Sequence, residues 1–301
     1  MDPEKMVVNV PGGFNVYVER HRFDSSFETV ILVNGALATT TSFSQTVKYL
    51  KEHFNVILYD LPYAGQSKQH NDLNTFLTKD DEVQILSYLI DRFAPEYLMS
   101  ISWGGVAGLL ALARQPKSIK KAIIGSFSPV LNKPMMDYIS RAEALLEAQD
   151  QLGAADLLNS TVGKYLPRLL KVYNHRYLTS LPVSDCAQVA FHIRQVISLD
   201  ASSYIEKLAS IKIPVLFGNG QLDEYTTGSD VRMMARFIDD CSFVTLENTG
   251  HFLDLESKRS WNEARRVAFN FLLDGAESRK HHEHLLAGTA GSFEPSFAAA
   301  S

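Results

Sequence analysis

Tyr97-Leu98-Met99-Ser100-Ile101-Ser102-Trp103-Gly104-Gly105 decides how the rest of the chain is read. A five-residue, mostly apolar run ends at Ile101, and small and apolar residues at helical density follow from Gly104 to Arg114. Ser102 therefore stands where a strand turns sharply into a helix. A hydroxyl thrust out of a sheet on so tight a turn needs small residues two positions before and after it, because backbone closes in there. Ser100 and Gly104 meet that need. Glycine at both places is the commoner pattern, and Ser100 is a mild departure in volume. The bland alternative is a Ser/Gly turn with no chemistry.

Outward from this turn, strand and helix patterns alternate. Met6 to Val10 and Asn15 to Arg20 read as a hairpin across Pro11-Gly12-Gly13. Thr29 to Val33 and Asn55 to Tyr59 are nearly continuous apolar, β-branched runs, as expected of strands buried on both faces of a parallel sheet. Thr78 with Asp81 opens a helix in capping-box fashion, and Val83, Leu86, Leu89 and Ile90 carry its period to Phe93. Lys121 to Phe127 reads as a further strand. The alternation then stops. From Pro129 to Ser210 the chain reads as mostly helical, most clearly at Tyr138 to Gln149 and Val189 to Ile197. Strand Ile213 to Phe217, helix Val231 to Ile238, strand Phe243 to Leu246 and helix Arg259 to Leu273 complete the pattern. The expectation is an α/β fold, a mostly parallel sheet with an inserted helical cap. Residues 1–128 and 211–275 form the core, 129–210 the cap, and 276–301 a disordered tail rich in Ala, Ser, Gly and His.

A serine hydroxyl needs a base to become a nucleophile. His251 follows the last strand in Gly250-His251-Phe252; His192, in the helical middle, is the rival. The base needs a carboxylate to fix its tautomer and stabilise its imidazolium form. Asp223 follows the strand ending at Phe217, with Glu224 beside it as the alternative. Ser102, Asp223, His251 is the chain order of the α/β-hydrolases, and all three sit at predicted strand ends. For the oxyanion, the Trp103 N–H is adjacent to the nucleophile, and Ala36, or secondarily Leu37, supplies a second N–H from the loop after Val33. Asp60 to Ser67 reads as a structural turn beside the site.

Composition narrows the setting. Apolar residues are 46% and charged residues 21% of 301, ordinary for a globular protein. A net charge of -5 gives no general attraction to nucleic acid. Cys186 and Cys241 are too few for a disulfide framework and read as reduced thiols. Neither has metal-ligand spacing, and no metal or cofactor is expected. No signal peptide or membrane-length apolar run is visible, so the expected location is cytoplasmic, with peripheral contact at the inner membrane open.

Six motifs together resemble a particular group. They are Leu32-Val-Asn-Gly-Ala-Leu-Ala-Thr-Thr40, Asp60-Leu-Pro-Tyr-Ala-Gly-Gln-Ser67, Leu77-Thr-Lys-Asp-Asp-Glu-Val83, Val162-Gly-Lys-Tyr-Leu-Pro167, Asp223-Glu-Tyr-Thr-Thr227 and Gly250-His-Phe-Leu-Asp-Leu-Glu256, beside Ser102-Trp-Gly-Gly105. Over residues 6–273 the chain resembles the 3-(3-hydroxyalkanoyloxy)alkanoate synthases of rhamnolipid biosynthesis, the A subunits of rhamnosyltransferase 1. It is also similar to the 3-hydroxyacyl-carrier-protein transacylases or thioesterases of polyhydroxyalkanoate synthesis. The first resemblance implies an acyltransferase that joins two 3-hydroxyacyl groups by an ester bond. Its substrates would be thioesters on acyl carrier protein or coenzyme A, and a separate rhamnosyltransferase would act downstream. A non-catalytic lipid-binding protein on the same fold is the reading from another class.

Two features of the helical middle bear on substrate. Leu145, Leu146, Leu157, Leu158, Val162 and Leu166 either line a lipid pocket or pack the helices together. Lys164, Arg168, Lys171 and His175, with Arg176 beside them, form either a docking face for an acidic carrier or phosphate, or a plain solvated face.

Overall fold

A computed structural model describes residues 2–72, 76–198 and 204–273. The continuous apolar runs form strands within the bounds their pattern suggests: β3 (Thr29–Val33), β4 (Asn55–Tyr59), β5 (Tyr97–Ile101) and β6 (Lys121–Gly125). The hairpin is β1 (Glu4–Asn9) and β2 (Asn15–His21), joined through a turn at Pro11–Gly13. With β7 (Val215–Gly220) and β8 (Cys241–Leu246), the eight strands order as β1-β2-β4-β3-β5-β6-β7-β8. β2 runs antiparallel to both its neighbours, and every pairing from β4 to β8 is parallel.

Helices cover both faces, which explains the lack of alternation in the central strands. α1 (Ser44–Leu50) and the last helix pack on one face, where Tyr49, Leu50, Ala268, Phe269 and Leu272 meet Val30, Leu32, Val56 and Leu58. α2 (Lys79–Phe93) and α3 (Gly104–Ala113) cover the other, with Val83, Leu86, Leu89 and Ile90 buried against it. Thr78 caps α2 by accepting from the Asp81 N–H at 3.1 Å, while Asp81 accepts from the Thr78 N–H at 2.9 Å. Between β6 and β7 run α4 (Lys133–Glu147), α5 (Gln151–Ser160), α6 (Arg168–Thr179) and α7 (Val183–Ser198). Their own apolar cluster includes Ile139, Leu146, Leu178, Val189 and Ile193, and Leu37 and Trp103 of the sheet edge pack against it.

Several element bounds differ from the sequence reading, and three of the differences have a local cause. β7 begins after Pro214, which has no N–H to offer a ladder; only its carbonyl pairs, accepting from the Ala122 N–H at 3.0 Å. β6 stops at Gly125 because Ser126 adopts φ +48°, outside the extended region. The helix expected over Val231 to Ile238 is one short turn, α8 (Gly228–Val231), followed by a 3-10 turn at Arg232–Arg236. Val231 and Met234 bury at a spacing of three, which suits the tighter winding. α9 (Lys258–Leu273) closes the described chain. The tail, residues 276–301 of the sequence reading, lies outside the described residues.

Candidate active site

Four parallel strands, β3, β5, β7 and β8, end at one edge of the sheet, and the loops leaving them carry the chemistry. Ser102 occupies the turn between β5 and α3 at φ +52°, a left-handed conformation that a serine adopts only when its surroundings impose it. Two backbone bonds do so: the Ser102 N–H donates to Gly125 O at 2.8 Å, and the Gly105 N–H to Ser102 O at 2.9 Å. A Cβ on Gly104 would lie 2.4 Å from Asn34 O, so no larger residue fits. Ser100 is buried, and its hydroxyl lies against Gly108 of α3, which is why only a small residue fits there.

His251 and Asp223 converge on Ser102 from β8 and β7. His251 Nε2 lies 3.0 Å from Ser102 Oγ, and His251 Nδ1 lies 2.8 Å from Asp223 Oδ2. The Asp223 carboxylate also accepts from the Tyr225 and Thr226 N–H groups at 2.9 and 3.1 Å, and from Thr226 Oγ1 at 2.5 Å. Burial pushes its pKa up, but the His251 ring and these hydrogen bonds outweigh burial and hold it below the usual carboxylate value. An ionised carboxylate only accepts, so His251 carries its hydrogen on Nδ1. Nε2 is then left as an acceptor for the Ser102 hydroxyl.

The alternatives from the sequence are placed elsewhere. Glu224 offers its backbone carbonyl to Asn132 Nδ2 at 3.1 Å. His192 is buried on α7, where its Nε2 pairs with Leu77 O at 2.7 Å and its Nδ1 lies 3.4 Å from the Tyr63 hydroxyl. Burial holds its pKa below the ordinary histidine value, offset in part by Glu82.

The loop after β3 reaches the serine. A Cβ on Gly35 would lie 3.3 Å from Ser102 Cβ, so the chain of Ala36 and Leu37 starts directly beside the hydroxyl. Leu37 sits at φ +60°, and the turn closes from the Ala38 N–H to Gly35 O at 3.4 Å. Asp60, in the turn read as structural, holds this loop by accepting from the Thr40 N–H at 2.7 Å, and accepts from the Gln66 N–H at 2.8 Å.

Three supports were not legible from sequence. Glu256 clamps the histidine loop by accepting from the Gly250 and Phe252 N–H groups at 2.6 and 3.0 Å. Ser126 Oγ donates to His251 O at 2.5 Å. Asn219 Nδ2 ties Thr226 O and Phe127 O at 2.7 and 3.0 Å. The Asp-x-x-Thr spacing of Asp223 and Thr226 was the one visible signal among such contacts.

In the helical insertion, Leu146 and Leu158 pack in its apolar cluster, and Leu157, Val162 and Leu166 are buried. Of the basic residues, Arg168, Lys171, His175 and Arg176 lie on α6, and Lys164 precedes Pro167. Lys171 Nζ folds back onto Lys164 O at 2.7 Å. Leu169 and Tyr173 are exposed on the same helix. No group of residues suited to hold a metal ion, and no helix long and apolar enough to cross a membrane, occurs among the described residues.

A family model for the alpha/beta hydrolase fold matches residues 28–257. The chain is 47% identical over 272 residues to a Pseudomonas aeruginosa protein named (R)-3-hydroxydecanoyl-ACP:CoA transacylase, covering 90% of this chain and 91% of the relative. A Pseudomonas putida protein of the same name is 45% identical, at 90% and 92% coverage. Among solved structures, an enol-lactonase from Burkholderia xenovorans superposes with a TM-score of 0.74 at 18% identity, covering 89% of this chain and all of that one. At that identity the likeness is one of fold.

Proposed function

The chain belongs to the α/β-hydrolase fold family, in the group that includes these transacylase relatives, and on that premise we propose that it is a serine acyltransferase joining two 3-hydroxyacyl groups through an ester bond. The observation that carries the reading is the unbroken hydrogen-bond chain from Ser102 Oγ through His251 to Asp223. The substrate class rests on the 3-hydroxydecanoyl thioester in the relatives' names.

In this reading His251 Nε2 takes the Ser102 proton as Oγ attacks the thioester carbon. The Trp103 and Ala36 N–H groups stabilise the oxyanion. The C–S bond breaks, and the departing thiolate takes the proton from His251. The 3-hydroxyl of a second molecule then gives its proton to His251 and attacks the acyl-enzyme; the bond to Ser102 breaks, and Oγ recovers the proton. Asp223 holds the ring and offsets the imidazolium charge at both stages. Water must be kept from the acyl-enzyme for the ester to form. The helices α4 to α7, which pack on Leu37 and Trp103 beside the serine, serve as the cap that excludes it. Carrier thioesters place the work in the cytoplasm, and a rhamnosyltransferase would consume the product.

Incubating the protein with 3-hydroxydecanoyl thioester and weighing the products tests this. An ester-linked dimer is expected. Free 3-hydroxy acid alone, or transfer to coenzyme A with no dimer, would replace the hydroxyl acceptor with water or a thiol.

A further inference from the structure

Beside the Trp103 ring lies a buried polar cluster that the acyl-transfer steps do not use. Lys79 and Glu82 come from the first turn of α2, and His192 from α7. Lys79 Nζ donates to Glu82 Oε2 at 2.7 Å, and both side chains are less than a tenth exposed. The Lys79 ammonium lies 5.3 Å from the Trp103 ring centroid, and the His192 ring lies 6.3 Å from that of Trp103. His192 Nε2 is 3.5 Å from Glu82 Oε1 but is engaged more closely by Leu77 O.

Two atoms in this cluster have no hydrogen-bond partner among the described residues: Glu82 Oε1, an acceptor, and Trp103 Nε1–H, a donor. Buried polar atoms are rarely left so. A group that both accepts and donates has the chemistry to serve both atoms, and a hydroxyl is such a group while a methylene is not. Trp103 is covalently next to the nucleophile, and in a 3-hydroxyacyl group the hydroxyl stands two carbons from the carbon bonded to Ser102 Oγ. We infer that the Trp103 indole and Glu82 form the subsite that reads the 3-hydroxyl of the acyl chain carried on Ser102. The indole N–H donates to the hydroxyl oxygen, and the hydroxyl donates to Glu82 Oε1. Lys79 holds the Glu82 carboxyl in place through its 2.7 Å contact with Oε2, leaving Oε1 to accept. A hydroxyl giving its hydrogen to Glu82 is not the one activated by His251, so the attacking hydroxyl comes from the second molecule.

This rests on the acyl-transfer reading, and the test separates the two. Single-turnover acylation of Ser102 is followed by intact mass with 3-hydroxydecanoyl-CoA and with decanoyl-CoA. The unaltered protein should prefer the hydroxylated chain by about tenfold or more. Trp103→Phe removes the donor but keeps the backbone N–H. Lys79→Met/Glu82→Leu removes the ion pair without stranding a buried charge. Each should bring the preference close to unity, and thermal melting confirms that each is folded. Acylation of the unaltered protein with a preference that persists in both variants, or with both substrates slowed equally, overturns the subsite alone. No acylation from either thioester overturns the acyl-transfer reading and the subsite with it.

Discussion

Replacing Thr226 by valine removes one hydrogen-bond donor and almost nothing else, and its consequence follows from the four donors around Asp223. Its carboxylate is buried and accepts from the Tyr225 and Thr226 N–H groups, from Thr226 Oγ1 and from His251. Hydrogen bonds to a buried charge are worth about 1.5–3 kcal/mol each, so Thr226→Val should destabilise the protein by that much at neutral pH. Each kcal/mol lowers Tm by roughly 2–4 °C for a chain of this size. The sign with pH follows from the depressed carboxyl pKa. Such a group contributes stability above its ordinary pKa and loses it as pH falls through the depressed value. With one donor gone, burial meets less opposition and the Asp223 pKa moves up. The gap in Tm between the two proteins should therefore be widest near neutrality and close in acid. The acid limb of thiol release from an acyl thioester should move to higher pH, because a protonated Asp223 no longer fixes the His251 tautomer. Melting curves and rate profiles between pH 4 and 9 check both. A Tm gap that is absent, or that widens as pH falls, would refute the reasoning.

Other expectations rest on separate contacts. Gly104→Ala drives a Cβ to 2.4 Å from Asn34 O, and the elbow should lose about 1–3 kcal/mol, read as a lower Tm together with slower Ser102 acylation. Asp254 lines an apolar cavity of about 70 Å³ between the sheet and the helices α1 and α9. Burial raises its carboxyl pKa despite hydrogen bonds from Thr46 and Tyr49. A raised carboxyl contributes its stability below the ordinary pKa and loses it as pH rises through the raised value. Asp254→Asn should thus gain on the unaltered protein, by on the order of 1 kcal/mol, as pH rises from 4 to 8 in melting curves. Exchanging Lys164, Arg168 and Lys171 for Glu should raise the KM for a carrier-protein thioester about tenfold, with a smaller effect at high salt; an unchanged KM removes docking from that face.

What the sequence revealed and what it concealed divide on the range of the contacts involved. β3, β4 and β5 were legible because burial on both faces writes a continuous apolar run, and the start of α2 because its cap is local. Ser102, Asp223 and His251 were legible as a set because each follows a strand, and strand ends of a parallel sheet meet at one edge. The helix after Thr227 was misread because a buried pair three residues apart suits an α-helix and a 3-10 turn alike. Glu256 and Ser126 act on backbone of the histidine loop, and no periodicity marks a side chain whose partner is a peptide group. Lys79 and Glu82 resemble the charged first turn of any exposed helix. Both are nonetheless buried, and α7, more than a hundred residues later, brings His192 Nε2 to 3.5 Å from Glu82 Oε1.

The account turns on a covalent acyl group at Ser102. Intact-protein mass spectrometry after rapid mixing with 3-hydroxydecanoyl thioester, followed by peptide mapping, addresses it directly. The account predicts a gain of one 3-hydroxyacyl group on the peptide containing Ser102, absent in Ser102→Ala. An adduct that survives in Ser102→Ala, or thioester consumed with Ser102 never acylated, would contradict it.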